Sequence, residues 1–144
     1  MGKRGPKPAR TGRDDHGNDV APALENLEPP EHLTDLDAVA IWHRLAPSLS
    51  AAGVLTAWDV DTFAILVTAL VHHRRAVRHV DERGVMIKQR SSWVKNPALQ
   101  VVRDQAAVIA VYAARFALTP ADRARLALGA VEPGDETGGV DPFA

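Results

Sequence analysis

Cationic side chains are the residues of this sequence whose types and spacing could bind a ligand. A first group of them lies within the first thirteen residues. They alternate there with Gly and Pro, which keep a chain extended, and no acid lies among them. An extended basic arm can lie along nucleic-acid phosphates or enter a minor groove, although a solubilising tail has the same composition. The candidate DNA-binding residues of this arm are Lys3, Arg4, Lys7, Arg10 and Arg13.

A second group of cations lies near the end of a long apolar segment and continues beyond it. It includes one aromatic residue, Trp93, which makes it a candidate nucleic-acid surface. Cations at the C-terminal end of a helix are also favoured by the helix dipole, and Asp81 and Glu82 can pair with them. A purely structural role is therefore the stronger explanation for this group. Its candidate DNA-binding residues are Arg74, Arg75, Arg78, Lys88, Arg90 and Lys95.

No residue pattern indicates catalysis. The sequence has no Gly-rich loop ending in Lys and Ser or Thr, which would hold nucleotide phosphates. It has no Cys, and its four serines lack the context of an activated nucleophile. His72 and His79 are about two helical turns apart, but no further metal ligand accompanies them. We therefore expect no enzyme activity, no catalytic residue, no metal site and no cofactor.

Composition divides the chain into three parts. Residues 1–30 are first basic and then acidic, with too few large apolar side chains to offset the entropy cost of ordering. Residues 130–144 are acidic and rich in Gly and Pro, and they are either an anchor for a partner protein or an inert tail. Residues 31–129 are therefore expected to fold, between a disordered arm and a disordered tail.

The folded part predicts an all-α domain of about four helices. The first helix contains Pro47, which should kink it or end it early, and Gly53 is its natural stop. The second is expected over residues 57–83. Each of the four helices is expected to begin after a Thr or Asn that can act as its N-cap and that is followed within three residues by Asp or Pro. These N-cap residues are Thr34, Thr56, Asn96 and Thr119.

Residues 85–95 lie between the second and third helices and contain apolar residues on either side of a polar stretch. Two short strands with a turn near residues 89–92 fit this pattern. An irregular loop fits it as well, and both alternatives stay open.

Two helical segments, residues 63–71 and 106–114, are apolar on nearly every face. A domain of about 100 residues cannot bury two such helices by itself, so we expect further copies of the chain to cover them. The alternative is a central helix wrapped by the others, with alanines facing water. The expected oligomer-interface residues are Phe63, Leu66, Val67, Leu70, Val108, Ile109, Val111 and Tyr112.

The longest apolar run is nine residues, 106–114, whereas a membrane-spanning helix needs about 20. We therefore expect no membrane association. The absence of Cys is compatible with a reducing cytoplasm. The formal net charge of −1 shows that any nucleic-acid binding depends on where the cations lie and not on the overall charge.

The order of several short motifs resembles that of a family of phage terminase small subunits. Each motif has low specificity alone, and their order and spacing are more specific. They begin with the basic Gly-Lys-Arg-Gly-Pro-Lys-Pro start and continue through about residue 128. The later motifs are Glu28-Pro29-Pro30-Glu31-His32-Leu33, Ile41-Trp42-His43-Arg44-Leu45-Ala46-Pro47, Gly53-Val54-Leu55-Thr56, Asn96-Pro97-Ala98-Leu99 and Phe116-Ala117-Leu118-Thr119-Pro120.

The resemblance implies a helical, non-catalytic subunit that assembles into rings. Its implied partners are double-stranded viral DNA at the packaging start site and the terminase large subunit, which carries the ATPase and the nuclease. It also implies a location in the cytoplasm of the bacterial host. The family's motifs do not identify base-reading residues that could be assigned here.

Two other classes of protein remain possible from the residues alone. A dimeric helix-turn-helix regulator would use the first two helices, but the second opens with Asp59 and Asp61 where a recognition helix should meet bases. An adaptor that binds only protein would not retain DNA at low salt.

Overall fold

The computed structural model describes residues 21–129, with side chains described as far as Arg125. The chain is mostly helical, with one small antiparallel sheet. The basic arm with its five cations and the acidic tail lie outside the described residues. The elements in chain order are α1 (Leu36–Ala51), α2 (Val60–Arg83), β1 (Met86–Gln89), β2 (Ser92–Lys95), α3 (Ala98–Arg115) and α4 (Pro120–Gly129).

The first helix begins one residue later than the sequence predicts. Its N-cap is Asp35 and not Thr34, and the Asp35 carboxylate accepts a hydrogen bond of 3.0 Å from the Asp37 backbone N–H. Carboxylates are strong N-caps because they satisfy donors that have no partner within the helix. The same carboxylate is held from the opposite side by Arg75, a long-range contact that the local sequence does not reveal.

Pro47 lies inside α1 and does not end it, because the helix continues to Ala51. A proline removes the hydrogen bond that the carbonyl four residues earlier would accept. Here that carbonyl belongs to His43, and both His43 and Pro47 are on the exposed side of the helix. Water can therefore donate the missing hydrogen bond to the His43 carbonyl. Because α1 continues to Ala51, the prediction that Pro47 ends the helix early is wrong.

The connection from α1 to α2 is a compact turn. Gly53 has a φ of +69°, a conformation that favours glycine. Thr56 donates from its backbone N–H and its hydroxyl to the Asp59 carboxylate. These contacts hold residues 57–59 in a turn, so α2 begins at Val60 and not at residue 57.

Residues 21–30, which the sequence assigns to the N-terminal arm, contact this turn and α1. Ala23 forms an isolated antiparallel bridge with Thr56, and the Pro22 carbonyl accepts from the Ala57 N–H. The indole N–H of Trp42 donates to the Leu27 carbonyl at 2.7 Å. This bond satisfies the only polar atom of a fully buried side chain.

The segment between α2 and α3 is the β-hairpin, which was one of the two alternatives from the sequence. β1 pairs antiparallel with β2, and Arg90 takes the positive φ of 56° at the turn. α3 begins at Ala98, one residue later than the sequence predicts, with Pro97 at the N-cap position, and the Asn96 Oδ1 accepts from the Ala98 N–H at 3.0 Å. The Asn96 Nδ2 donates to the Gly84 carbonyl at 2.9 Å, and the backbone N–H of the same residue donates to the Val85 carbonyl. The buried Asn96 therefore joins the end of α2, the hairpin and the start of α3.

The core lies where α1 and α3 cover the first half of α2. Phe63 contacts Trp42 of α1 at a ring-centroid distance of 4.9 Å and contacts Phe116, just after α3, at 5.2 Å. The start of α2 is thus beside the end of α3, while Asn96 places the start of α3 beside the end of α2. The two helices are therefore antiparallel, and the hairpin lies at the end of this pair.

The long helix α2 is largely wrapped within the single chain. Phe63, Leu66 and Val67, which the sequence predicts as interface residues, are fully buried there within the single chain. α1 and α3 cover most of the apolar faces of this helix, as in the alternative of a wrapped central helix. α3 differs, because none of its own residues is fully buried.

Candidate nucleic-acid interface

The three arginines predicted on α2 divide into two kinds of environment. Arg75 forms a bidentate pair with Asp35, at 2.6 Å from Nη1 and 2.9 Å from Nη2, and its Nη2 also donates to Asp37 at 2.7 Å. This hydrogen bonding from Arg75 lowers the pKa of Asp35 below its ordinary value, and Asp35 raises the pKa of Arg75 in turn. The guanidinium is bound by two carboxylates, so Arg75 joins α1 and α2, and its DNA contact stays a prediction.

Arg74 and Arg78 line an open groove between α1 and α2. The groove has a volume of about 310 Å³, and Arg44 of α1 lines its other side, with Arg75 and Asp37 between them. Within residues 21–125, no carboxylate lies within 4.0 Å of the guanidinium groups of Arg44, Arg74 or Arg78. Arg44, Arg74 and Arg78 are exposed, so the groove presents three guanidinium groups, while Arg75 offsets one of the two negative charges of Asp35 and Asp37.

Arg44 is a member of this groove that the sequence analysis missed. It lies seven residues after Asp37 and four after Ala40, a helical spacing that places all three on one side of α1. That spacing was readable from the sequence. What could not be read was that this side of α1 packs beside Arg74 and Arg78, which lie thirty or more residues later.

A second, shallower hollow lies on the other side of Arg74 and Arg78. His73, Val77 and Asp81 complete its lining. The two arginines thus form a ridge that is accessible from both sides. Each side has one carboxylate, Asp37 or Asp81, but the side of Arg44 also has Arg44 and Arg75 and is therefore the more positive of the two.

The three remaining predicted DNA-binding cations of the described chain lie on the hairpin. Lys88 is paired directly across from Trp93, Lys95 lies two residues after Trp93 on the same strand, and Arg90 is at the turn. All three cations are exposed, and Trp93 is 67% exposed. The structure thus groups Arg74 and Arg78 with Arg44 in the groove and places Lys88, Arg90 and Lys95 around Trp93 in a separate element.

The predicted interface residues are spread between the core and the surface. Leu70, Ile109 and Tyr112 are partly buried against the core, whereas Val111 is 51% exposed. Val108 lines an apolar hollow of about 290 Å³ between α2 and α3, together with Ile65, which is 49% exposed and was not predicted. Val108 and Val111, with Ile65, are the accessible apolar side chains of this region.

Nothing in the described range resembles a metal centre or a membrane span. Among residues 21–129, no three His, Asp or Glu side chains lie close enough together to hold a metal ion. His79 instead lies 3.4 Å from the Asn96 amide, at the base of the hairpin. No helix of this range is both long enough and apolar enough to cross a membrane.

The chain was compared with models of protein families. The family model described as phage terminase, small subunit, matches residues 38–132. This range begins at the third residue of α1 and includes α2, the hairpin, α3 and α4, with Arg44, Arg74 and Arg78 of the groove. Comparisons with curated proteins and with solved structures found no significant match.

Proposed function

Because the chain belongs to the family of phage terminase small subunits, we propose that it is the DNA-recognition subunit of a viral packaging motor. In this role it binds double-stranded viral DNA at the packaging site and recruits or regulates the large subunit, which carries the ATPase and the nuclease. Copies of the chain assemble into a ring, and the chain itself catalyses no reaction. It acts in the cytoplasm of the bacterial host.

The observation that carries DNA binding is the groove formed by Arg44, Arg74 and Arg78. Arginine donates planar, paired hydrogen bonds that match phosphate oxygens. A groove with three such groups from two helices can follow a phosphate backbone, which requires position and charge more than it requires base reading. Each phosphate that is neutralised releases condensed counterions, and repetition around a ring multiplies the effect.

Self-assembly is supported by the exposed apolar residues of α2 and α3. Val101 is 41% exposed and precedes Val108 by seven residues, so both lie on the same side of α3, and Val108 lies beside Ile65. Ala107, Ala110 and Ala114, with Val111, are on the outer face of the same helix. Small residues let helices approach closely, so this face suits another copy better than it suits water.

The groove is tested by measuring duplex binding of the full chain across a range of salt concentrations, using a fluorescently labelled viral duplex. Simultaneous Arg44→Ala, Arg74→Ala and Arg78→Ala changes should weaken binding. They should also reduce the slope of log affinity against log salt by about 0.9 for each phosphate that the variant no longer neutralises. Arg103→Ala is the control for each single groove variant, because it removes one guanidinium from α3, where Arg103 contacts Gln100 and Asp104.

Wild-type affinity in the triple variant would show that the duplex does not contact this groove. Failure of the wild-type chain to bind any duplex at low salt would instead favour a protein-only adaptor. The regulator alternative is disfavoured by Asp61 near the start of α2, whose side chain is 86% exposed. Carboxylates at that end of a recognition helix would repel the phosphates.

A further inference from the structure

The hairpin is the centre of a long stretch that contains cations and no acid. Between Arg83 and Arg103 the sequence has Lys88, Arg90 and Lys95 and neither Asp nor Glu. This stretch includes the end of α2, both strands and the first turns of α3. The hairpin at the end of the α2–α3 pair is therefore positively charged, and no carboxylate within it offsets that charge.

One face of the hairpin combines this charge with an aromatic ring. Side chains alternate along a strand, and directly paired residues share a face. The register pairs Met86 with Lys95 and Lys88 with Trp93, so these four side chains lie on one face. The indole of Trp93 thus lies beside Lys88, and Lys95 is next along its own strand.

This face is held at a fixed position relative to the helices. Asn96 is 1% exposed, and its side chain bonds to the Gly84 carbonyl before β1 and to the Ala98 N–H after β2. Both ends of the hairpin are therefore attached to one buried side chain. An aromatic platform held in this way loses little conformational entropy when a ligand stacks on it.

We propose that the face formed by Lys88, Trp93 and Lys95 binds DNA with unpaired bases, one base stacking on the Trp93 indole while the lysines contact the adjoining phosphates. The inference rests on the proposed DNA-binding function and extends it from duplex to single-stranded or locally opened DNA. Aromatic rings flanked by cations bind single strands without sequence preference, because every base has a flat face. In an intact duplex those faces are already stacked on one another.

The charge on this face favours nucleic acid over a protein partner. The centres of protein interfaces are depleted in lysine, whereas here lysines lie on both sides of the aromatic ring. Exposed Met86 lies on the same face, at the end nearer the helices, and it extends the apolar surface without changing its charge. A contact between two copies through this face would bring like charges together.

The test uses the full chain and three labelled oligonucleotides of equal length: single-stranded thymidine, the same strand with abasic sites, and a duplex. Trp93→Ala should weaken binding of the thymidine strand by about 5- to 150-fold, which is the value of one stacked base. It should leave abasic and duplex binding within about two-fold of wild type, because neither offers an unpaired base to the ring. Trp93→Phe retains a ring and should restore most of the affinity.

Trp58→Ala is the matched control. Trp58 is 64% exposed, almost as much as Trp93, but it lies just before α2 between Ala57 and Asp59, away from the hairpin. This variant should bind all three oligonucleotides like the wild type. Because both tryptophans are exposed, the variants should retain the fold, and circular dichroism checks this.

Three results would overturn the inference. The first is equal binding of the thymidine strand by wild type and Trp93→Ala, and the second is an equal weakening on the duplex and the abasic strand. The third is a fall in oligomeric mass with Trp93→Ala, which would make this residue a subunit contact. If any of these results is found while the wild-type chain still binds the duplex, the proposed function remains supported. If the wild-type chain does not bind the duplex, the proposed function itself is contradicted.

Discussion

Two consecutive arginines of α2 have different surroundings and, we infer, different roles. Arg75 is held by Asp35 and Asp37 of α1, whereas Arg74 lines the open groove with Arg44. The sequence predicted both as DNA-binding residues, because adjacent cations near a helix end look alike. The distinction depends on a contact across forty residues, which a local pattern cannot show.

Replacing Arg75 by Ala should destabilise the fold, because it leaves two carboxylates together at the start of α1. Arg75 lowers the pKa of Asp35 below its ordinary value, so its contribution to stability is fully present at a pH above that ordinary value. That contribution is lost as the pH falls through the lowered value. Thermal unfolding between about pH 7 and pH 2 should therefore show a smaller acid-induced decrease in Tm for Arg75→Ala than for the wild type.

The neighbouring variant Arg74→Ala is the control for this measurement. It removes an equal charge from the same helix, but it breaks no ion pair within the described part of the chain. Its Tm and its acid dependence should resemble those of the wild type. If the two variants had identical pH profiles, the ion pairs of Arg75 would contribute nothing measurable to stability.

The element that positions the hairpin is the loop region around Asn96. Asn96→Ala should lower the free energy of unfolding by about 1–3 kcal/mol, because the Gly84 carbonyl and the Ala98 N–H lose their partner. Chemical denaturation measures this change. Gln100→Ala, in the first turn of α3, removes only exposed side-chain bonds such as the one to Asp104 and should have little effect.

If Asn96→Ala decreases the stability no more than Gln100→Ala does, water replaces the hydrogen bonds of the buried Asn96 side chain. The hairpin would then be less firmly fixed than its hydrogen bonds indicate. Binding of single strands through Trp93 should also weaken when the anchor is removed, because the platform becomes mobile.

Helix starts that depend on short-range capping could be predicted from the sequence. Helix starts that depend on tertiary contacts were predicted less accurately. The start of α3 near Asn96 and the Thr119 start of α4, where the Asp122 N–H donates to the Thr119 hydroxyl, follow from short-range capping. α1 begins one residue later than the sequence predicts, because its N-cap is Asp35, whose carboxylate also binds Arg75. The site was predicted in part: Arg74 and Arg78 were identified, whereas Arg44 required knowledge of which side of α1 packs against α2.

At the scale of the whole molecule, residues 21–129 contain a well-filled core and a long helix, α3, that the rest of this range covers incompletely. Trp42, Phe63 and Phe116 form the centre of that core, and α3 packs on it without burying any of its own residues fully. The surface available for assembly is therefore the exposed side of α3 with the adjoining Ile65, and not both apolar helices. The groove arginines lie on the α1 side of α2, so assembly through α3 leaves them accessible.

Sedimentation velocity of the full chain with a labelled duplex, in dilute solution at low salt, tests assembly and DNA recognition together. We expect the DNA to sediment with a species of several chains. Ile65→Asp with Val111→Asp should reduce that species in mass, whereas Leu36→Asp, a control at an 83% exposed position on α1, should not. A chain that sediments as a monomer while the duplex sediments alone would contradict the proposal that this protein assembles and recognises viral DNA.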